Sequence, residues 1–396
     1  MSAEARLRLF YFAYYAAVGA FLPYFAPYLR GLGFDGEAIG TVQMIGPLLA
    51  VPVAVAWATA ADRLGAPARA LRLASAWGLA AMAFLPFART PVGVGLVLFA
   101  YGLGDRAVVP LVDSVTVEWA GANPGSTYAR IRLFGSLGYV VAAQGLGVSL
   151  AMRGDRAGDR LVPIAVLAFV AAYALVARGL PSPPRTSHPP RFREMAALLA
   201  DRPLLLFLGV CAAHWAACAP YHLLYGLFVR ELGLSAEVTG LGMSVGVAAE
   251  VVALVLFPRI EVRLDLRRAF ALSFAASAVR WLLTSRATGA PAVVALQLLH
   301  GFTFGLFWGA SVAAMSRAVP SRLRSTGQAL FAALVFGVGN AAGYQLSGLG
   351  YDRYRSVRPL YAWAAAAELA AAAAVLLLPA GGWSRRRPGQ GSLGGP

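Results

Sequence analysis

Three side chains that can hold or exchange a proton interrupt apolar stretches in the second half of the sequence: Glu250, Arg280 and His300. An ionisable group in mid-membrane is costly and persists only beside a partner or a water-filled cavity. Desolvation favours a neutral carboxyl and a nearby arginine favours a charged one, so moving the arginine changes the proton affinity. A histidine adds a group that titrates near neutrality. These residues predict a proton-coupling group, and the alternative is a static buried ion pair.

Asp113 and Arg132 form a second candidate set, in the first half of the sequence. A carboxylate accepts hydrogen bonds from hydroxyl groups, and the guanidinium fork donates to hydroxyls or to another carboxylate. Counting along a helix places both residues toward one end of their apolar stretches. They therefore predict either a polar solute site or a gate pair nearer one membrane surface.

Further polar residues inside apolar stretches have less specific meanings. Asp105 and Arg106 are adjacent, and adjacent helical side chains point in different directions. Each predicts either a solute contact or a bond to another helix. His214 and His222 lack a third ligand at metal spacing, so no metal site is predicted. Glu368 is isolated and is expected to contact a neighbouring helix.

The apolar stretches predict the elements that position these residues. The chain of 396 residues is 59% hydrophobic and 13% charged, about half the charged share of a soluble protein. A helix crosses the hydrocarbon core in about 20 apolar residues, and lipid offers no partners for unpaired backbone groups. We therefore predict an all-α integral membrane protein of twelve transmembrane helices, numbered 1 to 12. Their ranges are 7–29, 37–60, 69–89, 92–118, 128–152, 161–180, 203–229, 237–257, 267–286, 290–317, 326–350 and 359–380.

The distribution of arginine predicts the orientation. All 34 cationic side chains are arginine, and the formal net charge is +16. The lack of lysine excludes a Walker A motif and a lysine Schiff base. With both termini in the cytoplasm, 22 arginines lie on the inner side and 10 on the outer side, as the positive-inside rule requires. We predict a multi-pass protein of a bacterial-type inner membrane whose loops face lipid headgroups rather than nucleic acid.

A proline-rich stretch divides the predicted helices into two sets of six. Residues 181–202 hold five prolines and are predicted to be an extended cytoplasmic linker. The predicted domains are a six-helix bundle at 1–180 and another at 203–380. A cytoplasmic tail follows at 381–396.

An internal repeat supports this division. Segment 30–40 resembles segment 230–240, and each joins the first two helices of its set. Such a repeat is typical of transporters built from two related halves. Asp35 and Ser235 are expected to cap the helices that follow.

A short motif after helix 2 resembles a known family. Asp62-Arg63-Leu64-Gly65 is similar to the inner-loop signature of the major facilitator superfamily, although Ala58 stands where a glycine is usual. The resemblance covers essentially the whole chain. It implies two six-helix pseudo-symmetric halves and a gating loop at Asp62, Arg63 and Gly65, but it does not identify the solute.

Several segments are similar to the branch of that superfamily that contains the lactose and phenylpropionate permeases. They are Gly19-Ala-Phe-Leu-Pro-Tyr-Phe, Pro110-Leu-Val-Asp113, Arg130-Ile-Arg132-Leu-Phe-Gly135-Ser-Leu-Gly138-Tyr139, Glu250, Arg280 and Leu299-His300-Gly-Phe. The resemblance implies that Asp113 and Arg132 bind solute and that Tyr139 takes the place of a ring-stacking aromatic. It also implies that Glu250, Arg280 and His300 couple transport to a proton. The branch pattern has a second carboxylate where Thr303 stands, so the expected proton acceptor is Glu250.

The predicted function is proton-coupled symport of a small organic solute, such as a sugar, nucleoside or aromatic acid, by alternating access. The alternatives are a uniporter and an efflux antiporter of the same fold. Helix 5 lacks the proline usual in such antiporters, which disfavours efflux. No constellation of an intramembrane enzyme is visible in the sequence. No cofactor beyond the coupling proton is predicted, and a monomer is expected to suffice.

Overall fold

The computed structural model describes residues 1–64, 67–181, 198, 200–319 and 323–378, whose regular structure is helical. Twelve helical segments, α1 to α12, lie at the twelve predicted positions, which confirms the all-α prediction. Their bounds are α1, Ala3–Phe21 and Phe25–Gly31; α2, Gly36–Leu64; α3, Pro67–Met82 with the turn Leu85–Phe87; α4, Pro91–Ala122; α5, Tyr128–Met152; α6, Leu161–Ala177; α7, Arg202–Ala217 and Ala219–Glu231; α8, Ala236–Arg263; α9, Leu266–Arg286; α10, Ala290–Ala318; α11, Arg324–Phe331, Ala332–Gly339 and Asn340–Tyr354; α12, Arg358–Leu377.

Most of these helices are long and apolar enough to cross a bilayer. Within the described ranges nine helices meet both criteria, and α1 makes ten when its two pieces count as one span. The exceptions are α6, which is apolar but has only 17 residues, and α9, whose arginines lower its hydropathy. Both exceptions pack beside helices of full length, α6 on α1 and α9 on α12. The protein is therefore a multi-pass membrane protein.

Short polar residues fix the starts of many helices. Thr90, Thr127, Asp201 and Asp265 each accept a hydrogen bond from the backbone N–H group three residues later. These bonds satisfy donors that have no partner inside the helix. The starts of α4, α5, α7 and α9 are therefore encoded locally.

Two pairs of helices make most of the packing between α1–α6, here called the N-half, and α7–α12, here called the C-half. α2 packs along α11, and α5 packs along α8. Glycines permit the close approach: Gly36 meets Gly348 where α2 crosses α11, and Gly240 of α8 faces the Ala143 backbone of α5. Small residues serve this purpose in membranes because lipid supplies no hydrophobic drive for helix association.

α1, α10 and α11 contain departures from regular α geometry. α1 bends by 41° at the break that contains Pro23. α10 passes through a 3-10 turn at Leu296–Leu299 and a π segment at Gly301–Leu306. α11 contains a π segment at Ala332–Gly339. Such segments often occur at functional sites, and His300 lies where the two irregular parts of α10 meet.

Two carboxylates join the halves at the end of the molecule where α1 meets α2 and α7 meets α8, here called the latch end. Asp352, near the end of α11, accepts hydrogen bonds of 2.8 Å from the backbone N–H groups of Gly36 and Glu37. Asp155, in the α5–α6 loop, accepts one of 3.1 Å from the N–H group of Ala236. Each carboxylate therefore caps the first turn of a helix in the opposite half, where the helix dipole favours negative charge.

The two caps predicted from the repeat have different outcomes. The Asp35 carboxylate accepts from the N–H group of Ala38 at 2.8 Å, which confirms the first prediction. Ser235 occupies the N-cap position as predicted, but its side chain makes no capping hydrogen bond. Asp155 takes the N–H group of the next residue instead. The repeat therefore predicts where α2 and α8 start, but not that part of their capping comes from the opposite half.

Candidate functional site

α8, α9 and α10 bring the predicted coupling residues together. Nη1 of Arg280 lies 3.0 Å from Nδ1 of His300, and Nε2 of His300 lies 3.8 Å from a carboxylate oxygen of Glu250. Arg280 also donates to Oε1 of Gln297 at 2.5 Å. Glu250 and Arg280 are therefore linked through the His300 ring.

Burial and aromatic contacts define the environment of this chain of residues. Arg280 is fully buried and His300 is 8% exposed. The guanidinium carbon of Arg280 lies 4.3 Å from the ring centre of Tyr221 and 4.4 Å from that of Trp281, so two aromatic faces stabilise its charge. Because Nδ1 of His300 accepts from Arg280, the neutral ring carries its proton on Nε2, which faces Glu250.

Two tyrosines of α1 hold Asp113 and Arg132, and sequence reasoning missed both of them. The Tyr11 hydroxyl donates to Oδ1 of Asp113 at 2.6 Å. Arg132 donates to the hydroxyl oxygen of Tyr15 at 2.5 Å, and its guanidinium carbon lies 4.0 Å from the centre of that ring. Tyr11 and Tyr15 are four residues apart on one helix face. That spacing is the signal that could have identified them.

The two candidate sets face each other where α5 packs along α8. Arg132 attracts the Glu250 carboxylate electrostatically from the opposite half. The Tyr139 hydroxyl lies 3.5 Å from Sδ of Met243 on α8, and the Tyr221 hydroxyl lies 3.3 Å from the same sulfur. The interface between the halves therefore brings together residues that the sequence predicts separately.

The Asp105–Arg106 pair lines a cavity of about 330 Å³. Asp105 accepts a hydrogen bond of 2.8 Å from the Tyr101 hydroxyl, and its other oxygen lies 3.4 Å from Nη2 of Arg106. Tyr15, which bonds Arg132, lines the same cavity. The cavity therefore adjoins the predicted solute residues.

A second buried acid–base pair lies within the C-half. Nδ1 of His214 on α7 lies 2.8 and 2.9 Å from the two carboxylate oxygens of Glu368 on α12, and both residues are fully buried. The Cys218 thiol and the Trp281 indole N–H donate to the same carboxylate at 3.6 and 3.4 Å. Glu368 therefore contacts a neighbouring helix, as predicted, but the sequence does not reveal which residue it contacts.

His214, Cys218 and Glu368 also offer three metal-ligand types within 4.8 Å of one another. The His214–Glu368 distances are those of a hydrogen bond, and both carboxylate oxygens already contact the imidazole. His222 contacts the Trp215 ring instead, with ring centres 5.0 Å apart. His214 and Glu368 therefore form a buried acid–base pair that satisfies its own hydrogen bonds.

The predicted gating loop lies outside the described part of the chain. α2 runs to Leu64, but the side chains of Asp62 and Arg63 and the whole of Gly65 are not among the described residues. Most of the predicted linker at 181–202 and all of the tail at 381–396 lie outside it as well.

Comparisons with known proteins find relatives over most of the chain. The model of the MFS_1 like family matches residues 5–362. A probable 3-phenylpropionic acid transporter of Escherichia coli is 28% identical over 310 residues, which cover 75% of this chain and 78% of that protein. A maltose permease of Geobacillus stearothermophilus is 29% identical over 338 residues, which cover 84% and 83%. An uncharacterised transporter of Bacillus subtilis, YwbF, is 24% identical over 343 residues, which cover 85% and 84%.

Solved structures share the fold. The nucleoside transporter NupG superposes with a TM-score of 0.83 at 17% identity, over 96% of this chain and 99% of its own. A POT family transporter in complex with a thioalcohol-conjugated peptide superposes with a TM-score of 0.72 at 9% identity, over 94% of each chain. These likenesses confirm the predicted major facilitator fold.

Proposed function

The chain belongs to the MFS_1 like family, and from that premise we propose that it imports a small organic solute together with a proton by alternating access. The protein is a secondary transporter of small organic solutes and not an enzyme. Proton coupling, the direction of transport and the solute class are the proposal. The linked residues Glu250, His300 and Arg280 support it most strongly.

Relative motion of the halves would change the charge around Glu250. His300 and Arg280 belong to the same half as Glu250, whereas Arg132 attracts the carboxylate from the N-half. When the halves separate along α5 and α8, this opposing cation moves away and the charged form of Glu250 loses stabilisation. Glu250 would then bind a proton in one conformation and release it in the other.

The proposed solute site is Asp113, Arg132 and Tyr139, with Tyr11 and Tyr15 as positioning residues. Its carboxylate, guanidinium and aromatic rings suit a ring-bearing solute with polar substituents. Two relatives carry names that refer to phenylpropionic acid and maltose, and a structural neighbour is a nucleoside transporter. We therefore propose a sugar, a nucleoside or an aromatic acid as the solute.

The proposed orientation follows the arginine distribution. It places both termini in the cytoplasm of a bacterial-type plasma membrane and the latch end on the outside. Asp62, Arg63 and Gly65 would then form an inner gating loop. The fold requires only a single copy of the chain to enclose a site between its halves.

A ligand panel tests the solute site. A compound that binds only the folded protein raises its melting temperature. We expect at least one sugar, nucleoside or aromatic acid to raise the melting temperature of the purified full-length protein, and we expect this shift to shrink in Asp113→Asn and Tyr139→Ala. A stabilising compound whose shift is unchanged in both variants would contradict the proposed site.

A further inference from the structure

The cavity beside Asp105 and Arg106 contains polar groups without partners. Nε of Arg106 and Nε2 of Gln43 are buried and form no hydrogen bond within the described part of the chain. Oδ1 of Asn340, on α11, is also buried and accepts no hydrogen bond within the described part of the chain. All three residues line the cavity, and Gln43 is only 9% exposed. Buried polar groups without partners are destabilising, so these three groups around one cavity call for an occupant that satisfies them, either ordered water or a bound solute.

The Arg106 guanidinium retains N–H groups that could bind an anion. Its one ion-pair contact among the described residues is the 3.4 Å approach of Nη2 to Asp105, longer than a typical charge-assisted hydrogen bond. Asp105 is meanwhile held by the Tyr101 hydroxyl at 2.8 Å. A Cβ atom at Gly46 would lie 2.9 Å from Nη2 of Arg106, so the glycine provides room for the guanidinium. The exposed fraction of the Arg106 side chain is 37%.

Aromatic rings surround these donors. Tyr14, Tyr15 and Phe21 of α1, Tyr101 of α4 and Tyr344 of α11 all line the cavity. Its volume of about 330 Å³ is at the small end of the range for ligand pockets. It therefore suits one ring with a short substituent better than two joined rings. Because Tyr344 and Asn340 belong to the C-half, an occupant would contact both halves.

We propose that this cavity binds a small aromatic carboxylate, whose acid group accepts hydrogen bonds from Arg106 and Gln43 and whose ring packs against the tyrosines. The proposal rests on the proposed transport function and narrows its solute class. The two oxygens of a carboxylate can accept hydrogen bonds from both the Arg106 guanidinium and the Gln43 amide. An arginine can bind a carboxylate through two parallel N–H groups. With a neutral sugar or nucleoside in the cavity, the 3.4 Å contact with Asp105 would be the one ion pair of Arg106 among the described residues.

Equilibrium binding of 3-phenylpropionate to the purified full-length protein tests the proposal. The uncharged 3-phenylpropan-1-ol serves as the matched compound and should bind at least about tenfold more weakly than the acid. Arg106→Lys keeps the charge but loses the fork, and it should raise the Kd for the acid by about tenfold or more. Gln43→Leu, which removes no charge, should raise it severalfold. The control Arg89→Lys changes an exposed arginine between α3 and α4 and should leave the Kd unchanged.

Several outcomes would overturn the proposal. These are no binding of 3-phenylpropionate by the wild-type protein, equal binding of the acid and the alcohol, or an unchanged Kd in both Arg106→Lys and Gln43→Leu. Weaker binding in Arg132→Lys with unchanged binding in Arg106→Lys would assign the carboxylate to Arg132. That result would refute this inference and leave the proposed function intact. Gel filtration and the melting temperature without ligand show that each variant is folded.

Discussion

A histidine that accepts a hydrogen bond from an arginine cannot take up a proton at the same nitrogen. Nδ1 of His300 accepts from Arg280, and its Nε2 faces Glu250 at 3.8 Å. His300 therefore serves as a neutral link while this contact lasts. Glu250 is the remaining acidic group of the set, which makes it the proposed site of proton uptake.

Substitution of Arg132 tests its role in the proposed solute site. Its guanidinium stacks on Tyr15 and bonds the hydroxyl of that ring. Arg132→Lys should raise the Kd for any stabilising sugar or nucleoside by about tenfold or more, because lysine cannot reproduce the fork or the stacking. Binding is measured by calorimetry. Arg130→Lys, which changes an exposed arginine of the same helix, is the control and should leave the Kd unchanged.

The His214–Glu368 pair predicts a large effect on stability. Glu368→Ala removes the partner of a fully buried histidine, and breaking a buried pair in this way costs about 3–5 kcal/mol. The melting temperature should therefore fall by several degrees. Glu37→Ala, at an exposed glutamate, is the control and should change little. Equal melting temperatures for both variants would show that the pair does not stabilise the fold.

Single residues differ in how far the sequence reveals their partners. Glu250, Arg280 and His300 could be predicted as a group because charge is rare in apolar helices and each such residue needs a partner. The His214–Glu368 contact could not, because helical periodicity does not specify which faces of distant helices pack together. Tyr11 and Tyr15 were missed because buried tyrosines are common in helix packing.

At the scale of elements, the latch end is built from two related contacts. α11 caps the start of α2 through Asp352, and the α5–α6 loop caps the start of α8 through Asp155. The helix starts that receive these caps are related by the internal repeat. Opening this end between the halves must break both contacts, so they favour the conformation in which it is closed.

Removing one latch carboxylate should shift this equilibrium. Asp352 accepts from two N–H groups through its two oxygens. Asp352→Asn keeps only one oxygen and should lose about 1 kcal/mol, which changes a two-state population by about fivefold. Spin labels at exposed positions 89 and 286, in opposite halves, would report the change as a larger share of long distances. Asp35→Asn makes the same change at a cap within one half, where one amide oxygen is enough to accept from the Ala38 N–H group, and is the control. An identical distance distribution in Asp352→Asn and the wild type would refute the latch.

The sequence predicts the helices well and their irregularities poorly. Apolar length and local caps such as Thr90 and Asp265 define where helices lie. The π segments of α10 and α11 are not visible in composition, because they arise where packing in three dimensions displaces the regular hydrogen-bond pattern. The arginines of α9 lower its hydropathy, so a hydropathy criterion does not select it as a membrane span. Arg280 is tolerated there because it is buried against aromatic rings rather than exposed to lipid.

At the scale of the whole molecule, two halves meet along α2–α11 and α5–α8, and the candidate residues lie at or beside this interface. The internal repeat predicts this architecture because it relates the two sets of helices. The solute is less predictable, since it depends on the shape of a cavity formed by residues from several helices.

The central claim is that Glu250 couples solute movement to a proton. Once the ligand panel has identified a solute, its radiolabelled form can be followed in proteoliposomes with an imposed pH gradient. The wild-type protein should accumulate the solute against its gradient. Glu250→Gln should lose this accumulation while retaining exchange of solute across the membrane, because the titrating charge is gone and the solute site remains. Glu237→Gln, at an exposed glutamate of the same helix, should behave as the wild type, and pH-driven accumulation that persists in Glu250→Gln would contradict the account.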